Sequence, residues 1–135
     1  MNLQSKKLSN ILAPVSLGEL IDKITILEIK QIHMTGVKLK NIDKELKLLK
    51  YIVQNENLEV DLNLINNLKE VNKNLWEIED NIRIKENNQE FDEEFIQLAR
   101  SVYKENDRRA SIKKEINQKY NSELVEEKSY KNNLI

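Results

Sequence analysis

Four of the 22 basic residues are arginine and the remaining 18 are lysine. In so lysine-rich a chain, an arginine marks a place where a planar fork of N–H donors does what a point charge cannot. The four are Arg83, Arg100, Arg108 and Arg109, and acidic residues surround them. Asn72, Trp76, Glu79, Arg83 and Glu86 recur at helical spacing and share one face. Glu28 lies four residues from both Ile24 and Ile32, which predicts a partly buried carboxylate. The candidate ligand-binding set is Glu28, Trp76, Glu79, Asp80, Arg83, Arg100, Tyr103, Asp107 and Arg109. These residues are expected to form a polar cluster between helices, where the arginines clamp the phosphate or carboxylate of a small anionic molecule. The competing reading is an ion-pair network that fixes helix register, each charge being answered by another protein group.

An enzymatic alternative is a small metal-assisted phosphohydrolase, or another enzyme acting on a phosphorylated or anionic metabolite, with Glu79, Asp80 and Glu28 holding Mg²⁺. The usual all-helical phosphohydrolase pattern places two acidic pairs on neighbouring helices, and only one pair is clear here, so neither a metal site nor a cofactor is assigned. Trp76, the sole tryptophan, reads first as a core or interface anchor. His33, near the end of a helix, reads as a complement to the helix dipole. The absence of Cys removes disulfides, thiolate zinc sites and cysteine nucleophiles, and a single His removes two-histidine catalysis. With 22 basic against 23 acidic residues there is no bulk field to hold a polyanion, so nucleic acid is not the expected partner.

The elements that must position these residues are helices. A chain of 135 residues with 2 Gly and 1 Pro lacks the turn residues of a many-stranded barrel or sandwich. Its length suits a single domain, read as an N-terminal arm over 1–15, a helical body and a C-terminal tail over 121–135. Ser16 and Glu19 have the spacing of a capping box, with Val15 placed to staple onto Leu20. A first helix is predicted over 17–35, ending at Gly36 in a left-handed cap. Its apolar residues fall on several rows rather than one stripe, so it is either central or covered by a second subunit. A second helix is predicted over 39–54 from Ile42, Leu46, Leu49 and Val53.

A third helix over 62–87 carries the seam Leu64, Leu68, Val71, Leu75, Ile78 and Ile82. Asn87, Asn88 and Gln89 make a turn, and Asp92 caps a fourth helix over 93–120. Folding the fourth helix back on the third sets Asn72 level with Asp107, Trp76 with Tyr103, and Glu79 with Arg100. The fourth helix's seam breaks at Glu105, Asn106 and Arg109, which predicts a polar core there. The fold expected is therefore an all-α antiparallel helical bundle with a long C-terminal helical hairpin, and its tail folds back or frays. No run spans a bilayer and the N-terminus lacks a signal-peptide core, so a soluble, cytoplasmic protein without a membrane partner is expected.

The blocks PVSLGELIDKITILEIK (14–30), VNKNLWEIEDNIRIKE (71–86), FIQLARSVYKENDRRASIKKEIN (95–117) and SELVEEKSY (122–130) resemble a bacterial and phage protein family with no established activity. The resemblance covers most of the chain, with 40–70 matching only in pattern. It implies a short intracellular all-helical protein, some members of the family accompanying glycan or nucleotide-sugar genes, and it implies no catalytic residue. It directs attention to the polar parts of those blocks, which add Asn106, Lys113, Glu127, Lys128 and Tyr130 to the candidates. A binding or adaptor module is the expected function. A two-fold homodimer through the first helix, with a contribution from the third, is the expected assembly.

Overall fold

A computed structural model describes residues 8–130, so the arm is seen from Leu8 and the tail as far as Tyr130. It is an all-helical bundle of α1 (Leu17–His33), α2 (Gly36–Asn55), α3 (Leu62–Asn87) and α4 (Glu93–Lys119). α3 and α4 form the long antiparallel hairpin, roughly 40 Å from end to end at about 1.5 Å per residue. Asn74 Nδ2 donates to Glu105 at 3.3 Å and Lys85 Nζ meets Glu94 at 3.2 Å, contacts that fall on the helix alignment expected from the sequence. Asp92 caps α4 by accepting the Phe95 N–H at 3.0 Å. Among the described residues no helix is long and apolar enough to cross a membrane.

α1 is the central element, packed against α2, α3 and α4, whereas α2 has α1 alone as a helical neighbour. Leu20, Ile21, Leu27 and Ile29 of α1 are buried within one chain. The central position thus accounts for most of the apolar character of this helix, while Ile32 near its end stays exposed. The apolar core gathers Ile21, Leu64, Leu68 and Ile116, flanked by Val53, Val60, Ile112 and Tyr120. That core lies at the end of the hairpin remote from its turn. The other end stands clear of α1, and Ile84, Phe91 and Ile96 remain exposed there.

The start of α1 is tied to α4 and to the tail. Ser16 Oγ accepts the Glu19 N–H at 3.0 Å, giving one half of the capping box. The other half does not form, because Lys113 draws the Glu19 carboxylate away, with Nζ to Oε2 at 2.6 Å. The Leu17 N–H donates to Ser122 Oγ at 3.1 Å and the Gly18 N–H to Asn117 Oδ1 at 2.7 Å, so distant residues satisfy the helix's free N–H groups. Glycine at position 18 permits this docking, since a Cβ there would sit 2.6 Å from the Lys113 carbonyl oxygen. Val15, the expected staple, stays exposed.

α1 ends at His33, two residues short of the expected end. Met34 and Thr35 are extended, and Gly36 does take positive φ (+63°), but as the first residue of α2. The tail folds back along α4 without regular structure. Glu126 accepts from Ser16 Oγ and Lys128 reaches the Asn106 carbonyl and Asp107.

Candidate functional site

The polar centre of the bundle is Asp22, a fully buried carboxylate of α1 that the sequence reading passed over. It accepts Arg109 Nε at 3.0 and 3.1 Å and also takes Arg109 Nη2. Asn72 Nδ2 donates to Asp22 at 2.8 Å and to Thr25 Oγ1 at 2.9 Å, while Thr25 Oγ1 donates to the Asp22 carbonyl at 2.8 Å. α1, α3 and α4 are thereby joined through one carboxylate. The hydrogen bonds from Arg109 to Asp22 hold the guanidinium pKa above its ordinary value, against the effect of burial. Burial also works against the charge on Lys113, but the bonds to Glu126 and Glu19 prevail and raise its pKa above the usual lysine value. Lys113 Nζ lies 2.5 Å from Glu126, 2.6 Å from Glu19 and 3.8 Å from Asp22.

Arg109 also borders a groove of about 500 Å³ between α1 and α3. Ile26, Ile29 and Lys30 form its α1 wall, and Leu75, Trp76, Glu79, Asp80 and Arg83 its α3 wall, with Asn72 beside Arg109. Trp76 stacks on His33 with ring centroids 4.7 Å apart and planes 17° from parallel, a pairing the sequence did not suggest. Arg83 Nε meets Glu79 at 3.8 Å, and both side chains are largely exposed. The groove therefore combines an apolar floor, one partly exposed tryptophan, three cations and two carboxylates, a composition suited to holding a small molecule by both stacking and charge.

Five of the nine candidate residues, Trp76, Glu79, Asp80, Arg83 and Arg109, line this groove. The other four lie elsewhere. Glu28 is half-buried as expected, but it faces Lys50 at 3.6 Å and Lys69 at 3.8 Å. Asp107 pairs with Lys128 of the tail at 3.2 Å and lines a second cleft with Lys104 and Arg108. Arg100 and Tyr103 are exposed on α4. Equal height on the hairpin did not bring Glu79 to Arg100, because residues at one level can sit on different flanks of two packed helices, and Glu79 meets Arg83 of its own helix instead. Arg108 likewise bonds Glu105 one turn away at 3.0 Å. Glu28, Glu79 and Asp80 are not drawn together, and among the described residues no group of three His, Cys, Asp or Glu side chains is placed to hold a metal ion.

The residues missed were Asp22, Thr25, Glu19 and Glu126. Asp22 carried a signal: of its neighbours at helical spacing, Gly18, Thr25, Ile26 and Ile29 are small or apolar and only Glu19 is charged, on a helix already read as central.

No curated protein and no solved structure matches the chain. The family of unknown function DUF6165 matches residues 12–135, nearly the whole sequence, and the chain belongs to that family.

Proposed function

We propose that the protein is a binding module whose groove between α1 and α3 takes a small molecule bearing an anionic group. One observation carries this reading: the guanidinium of Arg109, fixed on one edge by buried Asp22, borders an apolar groove that Lys30 and Arg83 also line. A guanidinium has five N–H donors, and Asp22 engages the edge made by Nε and Nη2, leaving donors for a ligand oxygen. The anchored guanidinium is oriented before the ligand arrives, so little side-chain entropy is lost on binding.

The test is thermal unfolding against phosphorylated sugars, nucleotides and dicarboxylates, comparing the unaltered protein with Arg83→Lys and with Arg100→Lys. A ligand at about a hundred times its dissociation constant adds roughly 2.7 kcal/mol, a shift of several degrees for a domain of this size. The shift should shrink in Arg83→Lys, where the planar fork is lost, and persist in Arg100→Lys, which lies outside the groove. No shift with any of these anions overturns the reading.

The module is further proposed to act as a homodimer, joined through the outer part of the hairpin rather than through α1. Exposed Ile84, Phe91 and Ile96 support that face. Light scattering at micromolar concentration should give twice the 16.0 kDa chain mass, and a monodisperse monomer rejects the dimer.

A further inference from the structure

α2 carries apolar residues on two opposite sides. Leu39, Ile42, Leu46, Leu49 and Val53 recur at helical spacing and face the bundle, with Leu46 buried and Val53 packed on the core. Val37, Lys40, Lys44, Leu48 and Tyr51 also recur at helical spacing, on the side turned away from α1. All five are exposed, Val37 at 74% and Tyr51 at 64%, and Ile52 beside them is exposed too. Among the described residues α1 is the only helix packed on α2, so the outer row stands open to solvent.

This outer side is also cationic. α2 has five lysines against two carboxylates, in a chain with 22 basic and 23 acidic residues overall. Lys40 and Lys44 lie in the row, and exposed Lys47 flanks it. Lys50 turns instead to Glu28 at 3.6 Å, and among the described residues no carboxylate pairs with Lys40, Lys44 or Lys47. Asp43 bonds Gln31 of α1 at 2.8 Å, and Glu45 lies about 100° round the helix from Lys44, at the margin of the face. A second copy of α2 set against this row would bring three lysines from each chain together, which is unfavourable. The occupant must therefore be anionic and must also accept apolar side chains. The flank of a lone peripheral helix is convex and offers no groove, a shape that suits a deformable layer into which the helix can settle.

We infer that the outer face of α2 docks on a lipid surface rich in anionic headgroups, with the helix lying in the plane of the interface. Val37, Leu48 and Ile52 enter the boundary between headgroups and acyl chains, and the Tyr51 hydroxyl stays at headgroup level. Lys40, Lys44 and Lys47 extend along the surface to lipid phosphates. No described helix could cross a membrane, and docking of this kind needs only one apolar side. None of the residues lining the α1–α3 groove belongs to α2, so the inference stands apart from the proposed ligand site.

The experiment floats the full chain with vesicles of phosphatidylcholine alone and with vesicles that also contain phosphatidylglycerol, at low and at high salt. Binding should be roughly tenfold tighter to the mixed vesicles, and high salt should weaken it by about as much. Lys40→Gln, Lys44→Gln and Lys47→Gln combined should weaken binding roughly tenfold. Lys23→Gln, Lys73→Gln and Lys104→Gln combined make the same change in charge at exposed sites on α1, α3 and α4, and should leave binding nearly unchanged. Val37→Ser with Tyr51→Ser should weaken it severalfold at constant charge. Equal losses in the two lysine triples would reduce the effect to net charge and overturn the inference. Equal binding to both kinds of vesicle rejects the anionic headgroup. If the unaltered chain does not float with the mixed vesicles, the lipid is rejected and the face is left to an acidic protein. If the α2 variants instead change the mass measured by light scattering, a second copy covers the face and the lipid is likewise rejected.

Discussion

The base of the bundle and the outer part of the hairpin use the same charged residue types to different ends. At the base, Asp22 and Arg109 are 87 residues apart in sequence and Lys113 and Glu19 are 94 apart. On the outer hairpin, Lys85 meets Glu90 and Asp92 from five and seven residues away, and Arg83 meets Glu79 within one turn of helix. Pairs of the first kind can form only when the helices are correctly assembled, so they specify the tertiary arrangement. Pairs of the second kind form wherever the local helix or turn forms, and they say little about the fold. Solvent exposure separates the extremes of this division, although Lys85 is as enclosed as Lys113, each side chain being 13% exposed. The Asp22 side chain is fully buried, whereas the Arg83 side chain is 77% exposed. A buried pair in low dielectric is costly to break, and an exposed one is screened by water and salt.

The largest expected effect breaks the base. Asp22→Ala leaves Arg109 and Lys113 facing each other with their shared carboxylate gone, and takes an acceptor from Asn72. Removing one partner of a buried pair costs about 3–5 kcal/mol. Chemical denaturation of Asp22→Ala beside Glu79→Ala measures the contrast, since the second change removes only an exposed contact and should stay within about 0.5 kcal/mol. Equal losses in the two variants would erase the distinction between the regions.

That division also explains what could be read from the sequence. Helical period, Asp92 as a cap and the alignment of α3 with α4 are local or nearest-neighbour properties, and they were legible. The polar break in the α4 seam at Glu105, Asn106 and Arg109 was legible too, and Arg109 does reach inward. What could not be read is which side of α1 meets which side of α3 and α4, because several of its faces are apolar and spacing alone cannot rank them. Glu28 therefore reads as the inward carboxylate of α1, whereas Asp22 holds that place and Lys50 and Lys69 hold Glu28 on another side. The level placement of Glu79 and Arg100 gave height without azimuth. The tail was harder still: Glu126 joins Ser16 from 110 residues away, and no periodicity in SELVEEKSY announces that contact.

The smaller effect sharpens the comparison, because the tail carries a long-range ion pair that is only half enclosed. Burial alone would raise the Glu126 pKa, but bonds from Lys113 and Ser16 outweigh it and hold the carboxyl below its ordinary 4.5. A group whose pKa is depressed on folding contributes fully above its unfolded value and loses that contribution as the pH falls toward the folded one. Lys113, raised above its usual 10.5, stays charged throughout this range. As the pH falls below 4.5, protonation of Glu126 should therefore progressively weaken the hold of α1 and α4 on the tail. Backbone NMR relaxation should show the amides of residues 123–130 gaining mobility below pH 4.5, with those of α1 and α4 still ordered. Ser16→Ala removes one of the bonds that depress the pKa, so the release should begin at higher pH in that variant. A tail equally mobile at both ends of the titration would show that distance in sequence alone does not make an ion pair a structural one, and that enclosure of the kind found at Asp22 is also required.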